Sequence, residues 1–216
     1  MFDDPLLLIV GMALLGMVPF LAVMATTFVK ISVVIMLIRN AMGIQQIPPN
    51  MTLHGLALIL SIYIMAPIGI QAFEIVEQKN IDLENLDTRA LLTTLGEAAE
   101  PYRDFLYKHS SAQEKAFFVS TARDLWPKPQ ADTVTPDSLL VLIPAFTISE
   151  LTSAFEVGFL LYLPFIAIDL IISNILLAMG MMMVSPMTIS LPFKLLLFVL
   201  LDGWTRLIHG LVLTYQ

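Results

Sequence analysis

The chain has no cysteine and few charged side chains. Without cysteine it can form neither a disulfide bond nor a thiolate site, in whatever compartment it lies. Charged residues make up 13% of its 216 residues and hydrophobic residues 57%, whereas soluble domains average about 25% and about 45–50%. With a mean hydropathy of +0.83, this scarcity of charge indicates a membrane protein.

The charges that are present are concentrated in one segment. Residues 74–138 hold twelve of the 18 acidic and seven of the 11 basic residues, and the whole chain has a net charge of -7. An acidic chain offers no basic surface to phosphates, which argues against a nucleic-acid partner. The charge pattern predicts a first apolar helical hairpin over 1–73, an acidic helical insert over 74–138 and a second apolar hairpin over 139–216.

Sequence motifs of catalysis are missing as well. The chain contains no Walker loop, nucleophile elbow, HExxH zinc motif or paired-carboxylate setting. Its three histidines, His54, His109 and His209, lie far apart with no ligand spacing around them. We therefore expect no catalytic residue, no cofactor and no metal site, and a protein that is not an enzyme.

Two apolar runs in the first block, residues 5–29 and 51–73, are each long enough to cross a membrane, which takes about 20 helical residues. The first run follows two aspartates and exceeds the roughly 7–15 residues of a signal-peptide core, so we expect it to be retained. We expect its helix to continue to about Asn40. Gly43 suits the C-cap of that helix, and Asn50 suits the N-cap of the returning one.

Helix signals continue through the insert and the second block. Ser111 and Glu114 have the spacing of a capping box, and Thr135, followed by proline, predicts another helix start. Two interruptions are predicted in the apolar run that starts at Leu139: one at Pro144 and one at the TISE sequence of 147–150, which has the spacing of a capping box. The pattern as a whole predicts an all-α protein of membrane-associated helical hairpins with a helical polar insert.

Several ionisable residues lie within or beside the apolar blocks. Each would cost about 2.5–3.5 kcal/mol at a bilayer centre, so we expect them to be paired or in water. They could be structural ion pairs between helices, Lys30 could pair with Glu150 or Glu156 across a subunit boundary, and Asp169 could take part in a proton relay. The set comprises Lys30, Arg39, Glu150, Glu156, Asp169, Lys194 and Asp202.

Residues 179–187, MGMMMVSPM, hold five of the 13 methionines of the chain. Gly180 and Pro186 bracket this segment, because glycine ends helices and proline cannot continue one. From the residues alone, two interpretations stay open. The methionines could fill gaps between helices, or they could form a soft, deformable closure.

Two long stretches closely resemble one protein family. The stretches are FVKISVVIMLIRNAMGIQQIPPN (28–50) and LIPAFTISELTSAFEVGFLLYLPFIAIDLIISNILLAMGMMMVSPMTISLPFKLLLFVLLDGW (142–204), together about 86 of 216 residues. They resemble the FliP/SctR family of the type III secretion export gate. Flagellar members often begin with a cleavable signal peptide, and the expected lack of one favours the injectisome, or virulence, branch.

The resemblance implies an assembled complex. It implies that copies of the chain form a ring, as a pentamer, in the bacterial inner membrane. Each copy is multi-pass by sequence, and the assembled ring would be raised to the periplasmic side within the basal body. It implies Q-type, R-type, S/T-type and U-type export apparatus subunits as partners, with the inner-membrane ring and the inner rod. The basic residues Lys30, Arg39 and Lys194 favour cytoplasmic hairpin tips, which puts the insert on the periplasmic side.

The resemblance also implies a function for the methionines. Met181, Met182 and Met183 would seal a pore that conducts unfolded proteins into the rod and needle, or into a flagellar rod. Two other classes stay open. Broken helices and buried carboxylates also fit a small-solute or ion carrier, although no inverted repeat is visible, and the chain could be an assembly scaffold that conducts nothing.

Overall fold

The computed structural model describes residues 12, 16, 23–44, 46–79 and 88–216. Over these ranges the chain is built from helices and contains no strand, which confirms the all-α prediction. The helices are α1 (Phe28–Ala41), α2 (Asn50–Gln78), α3 (Thr88–Ala98), α4 (Glu100–His109), α5 (Ala112–Leu125), α6 (Lys128–Ala131), α7 (Leu139–Ala178), α8 (Pro186–Leu200) and α9 (Gly203–Leu213).

Two of the helices are long and apolar enough to cross a membrane. They are α2, with 29 residues and a mean hydropathy of 2.0, and α7, with 40 residues and a mean hydropathy of 2.2. The pair α8 and α9 passes the same test together but bends by 61° where the two meet, as a broken span or a re-entrant segment does. These helices agree with the predicted membrane protein. The expected span over 5–29, with its retained start, lies mostly outside the described residues.

The expectation that the first helix runs without a break to Asn40 is wrong, because a turn at residues 25–27 precedes α1. The hydroxyl of Thr26 accepts a hydrogen bond from the N–H of Phe28 at 3.4 Å. A threonine side chain that bonds the backbone two residues on replaces a helical hydrogen bond and favours a turn. At the other end, Gly43 has the positive φ of 77° expected of a residue that ends a helix.

The predicted interruption of α7 near Pro144 is also wrong. The helix is continuous through Pro144 and through the TISE sequence, and the Thr147 hydroxyl donates to the carbonyl oxygens of Ile143 at 2.8 Å and Met24 at 2.9 Å instead of capping a helix start. Proline removes one backbone hydrogen bond. In apolar surroundings an entire helix end would leave several more groups unpaired, so the continuous helix is favoured.

Two predicted N-caps are replaced by other contacts. Helix α7 begins at Leu139, because residues 135–138 form a tight turn in which the N–H of Ser138 bonds the carbonyl oxygen of Thr135 at 3.1 Å. Helix α2 begins at Asn50 itself, and the Asn50 amide oxygen accepts from the guanidinium of Arg39. In both places another side chain takes the polar group that the cap would have used: the Ser138 hydroxyl lies 3.0 Å from that of Thr135, and Arg39 bonds Asn50.

The chain divides into two compact units. Unit 1 combines Met1–Val29 with Met65–Glu150, and unit 2 combines Lys30–Ile64 with Leu151–Gln216. Helices α2 and α7 each contribute one part to either unit. The three-segment division drawn from the charge pattern stays a prediction.

Unit 1 has two small hydrophobic clusters where the insert packs on the first turns of α7. One contains Leu106, Leu142 and Phe146, all fully buried, and the other contains Ala122, Val134 and Val141. The predicted cap at Ser111 is confirmed, since its hydroxyl accepts from the N–H of Glu114 at 3.1 Å. The second half of the box differs: the N–H of Ser111 donates to the hydroxyl of Ser149, which ties α5 to α7.

Tyr102 joins α4 to the residues before α1 within unit 1. Its hydroxyl donates to the carbonyl oxygen of Ala25 at 2.7 Å. Burial raises the pKa of Tyr102 from 10.0 to about 12, because the charged phenolate is poorly solvated there. The phenol therefore keeps its proton, and its hydrogen bond, well above the pH at which an exposed tyrosine ionises.

We expect Tyr102→Phe to lower the free energy of unfolding by about 1 kcal/mol at neutral pH, because the Ala25 carbonyl loses its donor. A pKa that is higher in the folded state gives stability that is present below pH 10 and lost as the pH rises from 10 towards 12. The difference between the two proteins should shrink over that window. Thermal unfolding in detergent at several pH values measures it.

The matched control for Tyr102→Phe is Tyr63→Phe, at an exposed position on α2. It should leave the thermal midpoint unchanged. An equal loss in both variants at neutral pH would contradict the role of the Ala25 contact. Spectroscopic titration gives a second measurement. One of the five tyrosines of the chain should ionise near pH 12, and that ionisation step should be absent from Tyr102→Phe.

Unit 2 is organised around α1. The side chains of Ile31, Val34 and Ile35 on this helix are fully buried. Gly158 of α7 packs directly against Leu37 of α1, where a Cβ on the glycine would overlap the leucine side chain. The absence of a side chain at residue 158 therefore allows α7 to approach α1 closely.

Candidate functional site

The methionine segment is a short loop between α7 and α8. Helix α7 ends at Ala178 and α8 begins at Pro186. Gly180 has a positive φ of 72°, and the N–H groups of Met181 and Gly180 bond the carbonyl oxygens of Leu176 and Leu177 at 2.9 and 3.0 Å. This is the Schellman arrangement that glycine allows at a helix end. Pro186 occupies the first helical position, where its missing N–H costs nothing.

The loop leaves its methionines uncovered. Met181, Met182 and Met183 are 47%, 80% and 99% exposed, and Met179 and Met187 beside them are exposed too. Side chains that fill gaps between helices of their own chain would be buried. The chain therefore presents thioethers on a loop whose two ends are fixed, where they can make a soft apolar contact with another molecule.

Gly180 provides a test of how the loop is held. A Cβ at Gly180 or at Gly55 of α2 would meet no atom within 4 Å, so the two glycines differ mainly in backbone conformation. We expect Gly180→Ala to cost about 1–2 kcal/mol, because only glycine adopts a positive φ without strain. Gly55→Ala should instead stabilise its helix by about 0.5–1 kcal/mol. Thermal midpoints that move together in the two variants would contradict this.

A buried ion pair braces the two helices that flank the loop. The ammonium of Lys194 on α8 lies 2.6 Å from Oδ2 of Asp169 on α7, and the two side chains are 4% and 33% exposed. Lys194 also donates to the carbonyl oxygen of Ala41 at 3.1 Å, at the end of α1. The fully buried Ser190 hydroxyl donates to Oδ1 of the same aspartate at 2.6 Å. All of these groups belong to unit 2.

The structure adds partners that the sequence did not suggest. Ser190 and the Ala41 carbonyl in this cluster, and Tyr215 beside Lys30, were not among the candidates. Ser190 precedes Lys194 by four residues on a helix, a spacing that puts both side chains on one face, and that was the one available signal. The ammonium of Lys30 lies 4.8 Å from the ring centre of Tyr215, a cation–π contact within unit 2.

The remaining candidate charges lie on α7. Glu150 is buried in unit 1. Glu156 is exposed, and within the described ranges its carboxylate makes no hydrogen bond or ion pair. The pairing of either glutamate with Lys30 of a neighbouring subunit stays a prediction, as does a proton relay through Asp169.

In the part of the chain that the structure describes, no three His, Cys, Asp or Glu residues lie close enough to hold an ion. His109 instead stacks on Phe105 of the same helix, with ring centroids 4.6 Å apart.

Comparison with known proteins identifies the family. A model of the FliP family matches residues 11–211. The chain is 59% identical to Yop proteins translocation protein R of Yersinia pestis, over 98% of this chain and 97% of that protein. It is 49% identical to virulence protein YscR of Salmonella typhimurium (99% and 98% covered) and to hypersensitivity response secretion protein HrcR of Ralstonia nicotianae (97% and 96% covered). The chain therefore belongs to the FliP family, which confirms the resemblance carried by residues 28–50 and 142–204.

Proposed function

We propose that this chain is the pore-forming core subunit of a type III secretion export gate. Copies of the chain form a ring, as a pentamer, in the bacterial inner membrane and conduct unfolded proteins towards the rod and needle. The methionine loop seals the pore while no cargo is present. The observation that carries this proposal is the exposure of Met181, Met182 and Met183 on a loop fixed at both ends.

Rotational symmetry turns one exposed loop into a closure. Five copies around an axis would bring fifteen thioethers from residues 181–183 together. Methionine is unbranched and flexible, so such a ring closes without gaps and deforms around a passing chain of any sequence. An apolar constriction also excludes ions, because water leaves it.

The proposed seal combines a fixed loop backbone with flexible methionine side chains. The Schellman turn at Gly180 and the proline at the start of α8 hold the loop backbone, and the pair of Asp169 and Lys194 holds the two helices together. Side chains can then yield to cargo while the loop keeps its place. The energy for transport comes from other components, because this chain belongs to a non-enzymatic family.

The outer surfaces support an assembly in a membrane. Helices α2 and α7 carry exposed apolar side chains along their length, which lipid or neighbouring export subunits would cover. Glu156 is exposed within the apolar sequence of α7, as expected of a charge that pairs across a subunit boundary. The proposed neighbours are further copies of the chain, Q-, R-, S/T- and U-type subunits, the inner-membrane ring and the inner rod.

The proposal predicts that the loops of neighbouring protomers meet. Because the chain has no cysteine, Met183→Cys introduces its only thiol. We expect oxidation of the assembled complex to join protomers through residue 183 in high yield, as covalent dimers on non-reducing gels. Met51→Cys, at a position 86% exposed on α2, is the matched control and should give little product. Equal yields from the two positions would contradict convergence of the loops.

A second measurement distinguishes an export pore subunit from a small-solute or ion carrier and from a scaffold. With Met182→Cys, a stalled secretion substrate that carries one cysteine should form a mixed disulfide with the loop. A carrier would give saturable flux of a small solute and no such product. A scaffold that conducts nothing would give neither.

A further inference from the structure

Unit 2 contains an apolar cavity at the bend between α8 and α9. Its volume is about 370 Å³, within the range of about 300–1,000 Å³ typical of small-molecule sites. Parts of α1 and α7 complete its wall, and nearly all of the lining is hydrocarbon. Prominent wall residues are Phe165, Leu197, Phe198, Leu207 and Leu211.

One cation at this cavity has no hydrogen-bond or ion-pair partner among the residues that the structure describes. Unit 2 has four lysine and arginine residues, and three of them are engaged: Lys30 on Tyr215, Arg39 on Asn50 and Lys194 on Asp169. Arg206 lines the cavity and is exposed, and its guanidinium makes no hydrogen bond or ion pair to any described residue. Asp202, one turn earlier, is the nearest acid in sequence, and its carboxylate makes no ion pair with Arg206.

The apolar cavity and the charge of Arg206 together favour an amphiphilic, anionic ligand. Helices α8 and α9 are together apolar enough for a membrane segment, where an uncompensated cation is unfavourable. Basic pockets between membrane helices bind anionic lipid head groups, and a guanidinium bonds phosphate through two N–H groups at once. A phospholipid supplies both an apolar chain for the wall and an anion for the arginine.

We propose that the cavity binds one acyl chain of an anionic phospholipid whose phosphate is held by Arg206. The bound lipid then forms part of the surface of unit 2 and packs between α7 and α9. This site is separate from the methionine loop and does not depend on its proposed role.

Native mass spectrometry of the full-length protein, purified in mild detergent and titrated with phosphatidylglycerol or phosphatidylcholine, tests the proposal. We expect phosphatidylglycerol to bind more tightly. Arg206→Gln should weaken its binding roughly tenfold, the factor that corresponds to one lost charge-assisted hydrogen bond. Arg206→Lys should keep most of the binding, because the charge remains.

Two further variants separate the cavity from the charge. Gly210 lines the cavity, and a Cβ there would meet nothing within 4 Å, so Gly210→Leu should fill the space and displace the lipid while Arg206 stays intact. Lys128→Gln on α6 removes one positive charge from unit 1 and should leave lipid binding unchanged. Should Arg206→Gln fail to fold, Arg206→Lys and Gly210→Leu still decide the question.

Three results would overturn the proposal. The first is equal binding of phosphatidylglycerol to wild type, Arg206→Gln and Gly210→Leu. The second is displacement of the lipid by millimolar inorganic phosphate, which would make the site one for a free anion. The third is a change of oligomeric state, with unchanged lipid content, in both Arg206→Gln and Gly210→Leu, which would mean that a second copy of the chain covers the cavity.

Discussion

Replacing Lys194 with methionine is expected to lower the thermal midpoint of the purified protein by on the order of 10 °C. The substitution leaves the Asp169 carboxylate with only the Ser190 hydroxyl as a partner among the residues that the structure describes. Removing one member of a buried ion pair costs about 3–5 kcal/mol, and each kcal/mol shifts the midpoint of a chain of this size by about 2–4 °C. Thermal unfolding in detergent measures the change.

Asp169→Asn should also destabilise, because it leaves a buried ammonium without its counter-charge. Lys194 is 4% exposed, and its remaining acceptor is the Ala41 carbonyl. In Lys194→Met the charge left behind is the aspartate, which is 33% exposed and is therefore partly solvated. We expect Asp169→Asn to shift the midpoint at least as much as Lys194→Met, because the charge that it leaves unpaired is the more deeply buried one.

The double variant Asp169→Leu with Lys194→Met should recover most of the lost stability. Replacing both charges with apolar side chains of similar size is often neutral or stabilising, because no buried charge remains unpaired. Ser190 keeps an acceptor in the Met187 carbonyl at 3.3 Å. A double-mutant cycle should then give a coupling of about 2 kcal/mol or more, near the top of the range for residues in contact.

An exposed pair elsewhere in the chain is the control for these variants. Lys79 and Glu97 of unit 1 lie 2.8 Å apart and are each 48% exposed. Lys79→Met should cost less than about 1 kcal/mol, since water compensates exposed charges. If Lys194→Met destabilises no more than Lys79→Met, the pair between α7 and α8 does not brace the loop.

Replacing Met181, Met182 and Met183 together with alanine is expected to make the assembled complex leak. The triple variant keeps the loop backbone, because Gly180 and Pro186 are unchanged, but it removes most of the volume of the side chains that would close the axis. We expect at least a tenfold increase in ion conductance of the purified complex in a planar bilayer. A factor of ten corresponds to a barrier lowered by about 1.4 kcal/mol.

Two comparisons make this result specific. Replacing the same three residues with leucine keeps apolar volume in a stiffer side chain, so the complex should stay closed at rest while substrate passes more slowly. Met51→Ala changes an equally exposed methionine on α2 and should leave conductance unchanged. Particle size before recording confirms that each variant is assembled. Wild-type conductance in an assembled triple-alanine complex would rule out the seal.

Local features were predictable from the residues, because they depend on neighbours in sequence. Glycine predicts the left-handed conformation at residue 180, and proline predicts the start of α8 at Pro186. The same holds for the Ser111 cap and for the conformation of Gly43. Local signals failed where a competing contact was stronger, as at Thr147, whose hydroxyl bonds backbone carbonyls inside a continuous α7.

Contacts between distant residues could not be assigned in this way. The sequence marked Asp169 and Lys194 as charges that need partners, since apolar surroundings penalise them. It did not show that they pair with each other, because by charge alone Lys194 could equally pair with Glu150 or Glu156, and Asp169 with Lys30. Their pairing depends on the register of α8 against α7, and the added acceptor, the Ala41 carbonyl, lies 153 residues from Lys194 in the chain.

Hydropathy, charge and turn-forming residues by themselves determined a helical membrane protein with a methionine segment between two helices, and the resemblance of residues 28–50 and 142–204 identified its family. They did so because backbone conformation and the avoidance of water depend on composition and on near neighbours. Only the tertiary structure decided that the methionines are uncovered in the single chain, that Lys194 is neutralised by Asp169 and that Arg206, at an apolar cavity, has no partner among the described residues. Burial and pairing depend on which helices meet, and that is a property of the folded chain as a whole.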